Sequence, residues 1–280
     1  MIKSKKLLYK VVAVAAVIIV LLLFIIAPRT FSGADMSAFD GVRFAHRGYF
    51  DNENSVPENS LVSFEKAIEN GYGIELDIQL SSDGVAMVFH DADLERVCGV
   101  KGKIWEYTCS ELQQMSLFNT EYTIPTFEQA LQVIDGRVPL LVEYKMDRVD
   151  TAVCAAGQAL LDNYKGEYCM QCFDPRALLW YRQNAPQVAR GQLSEEFWHK
   201  EKYAGSPLYT ALSFMVGNVV ARPDFISYNF EHKDNIALKI CDFMGAETAC
   251  FTLRSPQDYE GVKGQFDMYI FDSFDINSCG

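Results

Sequence analysis

Eight short apolar runs recur along the chain with helix-like stretches between them, and that rhythm limits the fold more than any other feature. The runs are Val42–His46, Ile74–Leu80, Val138–Tyr144, Tyr168–Phe173, Val188–Gln192, Phe225–Asn229, Glu247–Leu253 and Met268–Phe271. Runs of this length, bounded by turn residues, read as strands. The stretches between them carry helix start signals. Thr126-Phe127-Glu128-Gln129 matches a capping box, and Asp174-Pro175 and Ser255-Pro256 each put proline at a first helical position. Eight strands alternating with helices over about 240 residues is the count and size of a (β/α)8 TIM barrel. A doubly wound open sheet shares the alternation. Polar residues recur here at the C-terminal ends of strands, where barrels build their sites, so the barrel is expected, over residues 38–280.

One segment interrupts the rhythm. From about Val85 to Tyr122 the chain inserts a short extended piece, a Gly/Lys-rich loop at Gly99–Lys103 and a helix opened by Thr108-x-x-Glu111. It reads as a small insertion after strand 2, above the barrel mouth.

The second strand carries the first sign of chemistry. Ile74, Leu76, Ile78 and Leu80 alternate with Glu75, Asp77 and Gln79, so Glu75 and Asp77 share a face. Two carboxylates so placed repel unless a cation lies between them, and hard oxygens suit a divalent ion. A solvated acidic face would read the same way. The third strand puts Glu143 and Lys145 on one face by the same alternation, and neighbouring strands would bring Glu75, Asp77 and Glu143 around one ion. The first strand ends in His46-Arg47-Gly48, and the extended run after the second ends in His90-Asp91. Two histidines beside three acids and two cations suggest a reactive centre. His199 and His232 read as structural imidazoles.

These residues resemble the motif series of the glycerophosphodiester phosphodiesterases: His46-Arg47-Gly48, Pro57-Glu58-Asn59-Ser60, Glu75-Leu76-Asp77, Asp83-Gly84 with Phe89-His90-Asp91, and Glu143-Tyr144-Lys145. The likeness covers nearly everything after the N-terminal apolar segment and is strongest from Phe44 to Asp91. It implies metal-dependent hydrolysis of a glycerophosphodiester to glycerol phosphate and an alcohol. Glu75, Asp77 and Glu143 would be ligands of one Ca²⁺ or Mg²⁺, His46 and His90 the general acid and base, and Arg47 and Lys145 the phosphate binders. Glu58 and Asn59 would support them. The resemblance further implies attack by the neighbouring glycerol hydroxyl, giving a cyclic phosphate that water opens. The family's Trp-Thr-Val-Asn region is here Cys250-Phe251-Thr252-Leu253, so Phe251 would replace the usual Trp as an apolar wall, and Tyr269 and Phe271 are bulkier than expected. An inositol-type phospholipase C, a lysophospholipase D and a non-catalytic polyol-phosphate binding module are the alternatives. The Glu-x-Asp pair speaks against the first, and the His pair against the last, since binding alone needs no acid and base.

Ahead of the barrel, Lys3, Lys5, Lys6 and Lys10 precede an uninterrupted apolar run, Val11–Ala27. With Leu7 and Leu8 it is long enough to cross a bilayer. Signal peptides also begin basic and turn apolar, but this run is long, Pro28 follows directly, and no small-x-small site ends it. The expected order is a cytoplasmic segment 1–10, a transmembrane anchor 11–27, a tether 28–37 and the barrel, with the lysines holding the N-terminus inside and the barrel outside the cell membrane. A net charge of −12 argues against nucleic acid as a partner. The resemblance implies a small glycerophosphodiester as substrate, with a lysophospholipid or a glycerol-phosphate polymer as alternatives. Ser206–Val220, rich in Leu208, Tyr209, Phe214 and Met215, reads as a core helix rather than a lipid-contacting surface. Of eight cysteines, Cys98 and Cys109 form the expected pair, and Cys169 and Cys172 lie on opposite strand faces and cannot bridge.

Overall fold

The computed structural model describes residues 2–29, 33–146 and 150–279, with side chains from Lys5 onward. The strands are β1 (Arg43–Ala45), β2 (Gly73–Leu80), β3 (Ala86–Val88), β4 (Leu140–Tyr144), β5 (Tyr168–Cys172), β6 (Arg190–Ser194), β7 (Phe225–Asn229), β8 (Glu247–Leu253) and β9 (Met268–Phe271). β1 pairs in parallel with both β2 and β9, so eight strands close into a ring. β3 alone runs antiparallel, attached to β2 through Ile78↔Val88. This is the (β/α)8 barrel. β6 begins two residues later than its apolar run, with Val188 and Ala189 buried just ahead of it.

Strand alternation divides the barrel into two layers. Ile74, Leu76, Ile78, Val142 and Tyr144 point outward into the layer beneath the helices. Phe44, Leu141, Cys169, Ala189, Phe225, Ala249, Met268 and Ile270 form a separate apolar floor, sealed by Phe39. Glycine is required at Gly191, where a Cβ would run into the Phe225 ring. Nearer the strand C-termini the buried positions turn polar, with Asp77, Glu143 and Gln171. That gradient puts the site at the mouth.

The helices begin where the sequence signals them. Thr126 and Gln129 form a reciprocal capping box before Phe127–Ile134, and Pro175 and Pro256 open Pro175–Asn184 and Pro256–Val262. The insertion has its own core, built from Met87, Phe89, Leu94, Val97, Ile104 and Leu112 among others. Its helix Cys109–Leu112 is capped by Thr108 and Glu111. Each such buried side chain contributes about 1.5–3 kcal/mol, enough to make the insertion a fixed rim.

Two expectations are corrected. All eight cysteines are free, Cys98 and Cys109 included. Ser206–Val220 is not one core helix: it splits into Pro207–Ser213 and Asn218–Ala221 around Met215, which takes a positive φ of 58°. Met215 is buried while Leu208 is 64% exposed, because the apolar residues of this stretch do not keep one helical face.

The first helix runs Ile2–Ile26, and its portion Lys5–Ile26 is long and apolar enough to cross a membrane. Of the expected tether, Thr30, Phe31 and Ser32 lie outside the described residues. Its remainder lies on the barrel floor: the Arg29 N–H donates to Pro223 O at 2.8 Å, and the Ala34 N–H to Asp224 Oδ1 at 3.0 Å.

Candidate active site at the barrel mouth

β1 delivers His46-Arg47-Gly48 into a tight turn. Arg47 has φ 57° and Gly48 φ 81°, and a Cβ at Gly48 would collide with Ser63. The turn aims the Arg47 N–H at Glu75 Oε2 (3.0 Å), while its guanidinium donates to Glu58 Oε1 (2.6 Å) and lies 3.7 Å from Asp77 Oδ2. Asn59 follows Glu58 with a positive φ of 53° and turns its amide onto Asp77 Oδ2 at 2.8 Å.

Glu75 and Asp77 stand on β2, and the register sets Asp77 beside Glu143 on β4. Carboxylate oxygens of Glu75, Asp77 and Glu143 all lie within 4.8 Å of one another. Glu75 and Asp77 are fully buried, and Glu75 Oε1 has no hydrogen-bond partner among the described residues. Lys145, just beyond β4, pairs with Glu143 and with Asp77 Oδ1, the latter at 2.9 Å. Burial, with Asp77 and Glu143 alongside, pushes the Glu75 carboxyl well above the usual carboxylate range. Burial acts on Asp77 in the same sense, but Lys145, His90 and Arg47 outweigh it and hold that carboxyl below the range. Lys145 pulls the Glu75 carboxyl the other way without outweighing burial and the two neighbouring acids.

Both expected histidines line the mouth, in a cavity of about 370 Å³ shared with Arg47, Glu143 and Lys145. His46 Nδ1 lies 2.6 Å from Asp272 Oδ1, and His90 Nδ1 lies 2.7 Å from Asp91 Oδ1. An ionised carboxylate only accepts, so each Nδ1 carries a proton and each Nε2 is left free to take or give one. Asp91 is held in turn by Arg96 Nε at 2.6 Å, and Arg96 grips Glu58. Burial opposes ionisation of Glu58, Asp91 and Asp272. The arginines at Glu58, His90 with Arg96 at Asp91, and His46 with Arg254 at Asp272 win, and all three carboxyls stay below their ordinary values.

Three of these positions carried no assigned role in the sequence. Asp91 sits inside a quoted motif, Asp272 directly follows the last strand, and Arg96 has no local signal. Phe251 does form an apolar wall, edge-on to Phe173 at 5.9 Å. Tyr269 and Phe271 point away from the mouth into the outer layer. His199 and His232 stack at 5.1 Å beside Glu196, and the Glu196 N–H donates to His232 Nδ1, so the pair ties the loop after β6 to the loop after β7.

A model described as the Glycerophosphoryl diester phosphodiesterase family matches residues 46–276. A glycerophosphodiester phosphodiesterase of Bacillus altitudinis is 36% identical over 110 residues, 37% of this chain and 44% of that protein. One from Caldanaerobacter subterraneus subsp. tengcongensis is 29% identical over 185 residues, 59% of this chain and 74% of that protein. Among solved structures, the glycerophosphodiester phosphodiesterase of Thermotoga maritima superposes with a TM-score of 0.62 at 26% identity, covering 83% of this chain and 94% of that one. An Oleispira antarctica phosphodiesterase, solved with its product sn-glycerol-3-phosphate, gives 0.71 at 23% identity over 86% and 96% of the two chains. The latter likeness speaks to the fold.

Proposed function

Because this chain belongs to the glycerophosphoryl diester phosphodiesterase family, we propose that its barrel mouth hydrolyses glycerophosphodiesters to glycerol phosphate and an alcohol. The observation that carries the reading is the pair His46–Asp272 and His90–Asp91, two imidazoles each held at Nδ1 by a carboxylate, on one cavity that also holds Arg47 and Lys145.

The three carboxylates fit a divalent cation. They supply only hard oxygens, converge within 4.8 Å, and include the unpartnered Glu75 Oε1. Glu75, Asp77 and Glu143 would hold Ca²⁺ or Mg²⁺, which when bound masks phosphate charge and makes an oxygen nucleophile more acidic. Arg47 and Lys145 face the diester, the first as a fork and the second as a point charge. One histidine takes the proton from the glycerol hydroxyl next to the phosphate as its oxygen bonds to phosphorus. The other protonates the departing alcohol oxygen as the old P–O bond breaks. Water then opens the cyclic diester with the proton transfers reversed. Each such transfer is typically worth about 10²–10⁴-fold.

The apolar helix is read as a single-pass anchor with the N-terminus inside and the barrel outside, which makes the membrane a partner. Purified protein supplied with Ca²⁺ or Mg²⁺ should release glycerol phosphate from glycerophosphocholine and glycerophosphoethanolamine, read by a coupled dehydrogenase assay. No release from any glycerophosphodiester with either ion, in folded protein, would refute the activity.

A further inference from the structure

Four arginines converge where the first helix meets the barrel floor. Arg29, Arg182, Arg190 and Arg222 line a cavity of about 660 Å³ whose other side is apolar, with Phe24 and Met244. In a chain of net charge −12, composition does not gather them there. Asp224 is the one carboxylate paired with any of them among the described residues, at 3.4 Å from Arg29 and 3.7 Å from Arg190. Four positive charges against one leave a surplus of three.

The surplus is not idle surface charge. Arg190 is only 2% exposed, and its Nη1 has no hydrogen-bond partner among the described residues. Its Nε donates to Ala221 O at 3.0 Å, which fixes the guanidinium in place. Burial, with Arg29 and Arg182 nearby, lowers the Arg190 guanidinium to about 10. A buried guanidinium whose one carboxylate among the described residues stands at 3.7 Å is under-compensated, and an anion in the cavity it lines would offset that charge.

The position identifies the anion's source. Arg222 donates to Phe24 O at 2.9 Å and Ala27 O at 2.8 Å, and Asn218 donates to Ile26 O at 2.8 Å. The Phe24 and Ile26 carbonyls belong to the last turn of the helix and have no acceptor role left within it, and Ala27 follows directly. A span ending there brings the cavity to the depth of the lipid headgroups, with Phe24 on the acyl side. We propose that this cavity binds the phosphate of an anionic phospholipid through Arg29, Arg182, Arg190 and Arg222. The inference rests on reading Lys5–Ile26 as a membrane span. It makes the joint rigid and sets the barrel floor on the bilayer, with the catalytic mouth at the opposite ends of the strands.

The test uses the full-length protein in maltoside detergent, carrying Glu75→Gln to suppress turnover. It is titrated by calorimetry with dihexanoyl phosphatidylglycerol, dihexanoyl phosphatidylcholine and inorganic phosphate. Phosphatidylglycerol should bind at least about tenfold more tightly than phosphatidylcholine. Arg182→Gln, at an exposed position, should weaken it roughly fivefold, and Arg29→Gln added to it further. Turnover of glycerophosphocholine by Arg182→Gln in the otherwise unchanged enzyme should stay at the parent rate. Equal affinity for the two lipids, or no effect of Arg182→Gln, would overturn the proposal. Inorganic phosphate matching phosphatidylglycerol would overturn the lipid as occupant. An intact mass lacking the first helix would overturn the span, and with it this site, without touching the hydrolase reading.

Discussion

Arg96 grips the Glu58 carboxylate with both terminal nitrogens, at 2.6 and 3.0 Å, and so ties the inserted rim to the loop that follows β1. Its Nε, at 2.6 Å from Asp91, extends the chain of contacts to His90. Arg96→Gln should therefore displace the imidazole rather than remove chemistry. It should lower kcat by about 10–100-fold, with KM changed far less. Arg96→Lys should recover only part of this, because an ammonium cannot fork. Steady-state kinetics with a far-UV spectrum check it; an unfolded product would recast Arg96 as a structural residue.

Glu58 gives a pH signature. Burial pushes its carboxyl up, but Arg96 and Arg47 pull it down to about 2 from an ordinary 4.5. A depressed folded value means stability fully present above about 4.5 and lost as pH falls toward 2. Glu58→Gln should thus cost on the order of 2–3 kcal/mol at pH 7, with the difference from the parent shrinking below pH 4.5. Paired melts at pH 7 and pH 3 decide it. A gap that widens in acid would contradict the sign.

Glu75 should behave oppositely in the metal-free protein. Its charge is buried against Asp77 and Glu143, so Glu75→Gln removes repulsion and should melt no lower than the parent. Activity should vanish all the same, as it should for Asp77→Asn. Added Ca²⁺ should raise the parent's Tm by mass action and leave Glu75→Gln unmoved. Near-parent turnover of either variant in trace metal would refute the ligand set.

His46→Ala and His90→Ala should each lose about 10²–10⁴ in rate. Asp272→Asn and Asp91→Asn should lose less, since each leaves the imidazole present but free to take the wrong tautomer. Full activity in either alanine variant would remove that histidine from the reaction.

The sequence made β2 legible because Ile74 to Leu80 keeps a strict period of two, which alone places Glu75 and Asp77 on one face. His46 and His90 were legible for a similar reason, as polar residues that close short apolar runs. Asp272 was not, because it meets His46 across 226 residues and only closure of the ring brings them together. The floor arginines come from four separate segments and share no motif. Ser206–Val220 misled because apolar content marks burial only when its spacing holds one face.

Phe39 is 2% exposed and seals the apolar floor beneath Phe44, Phe225 and Met268, while the Gly41 N–H donates to Asp267 O at 2.8 Å. A chain starting at Met36 keeps both contacts. It should stay folded and soluble, and because the mouth is at the far end of the strands it should keep the full-length kcat/KM on glycerophosphocholine. A chain starting at Val42 loses Phe39 and should be destabilised by about 3–5 kcal/mol, the range for emptying a buried Phe site. Differential scanning calorimetry separates the two. Equal melting would show that the floor closes without Phe39; a Met36 chain that folds but turns over slowly would show that the first helix reaches the site after all.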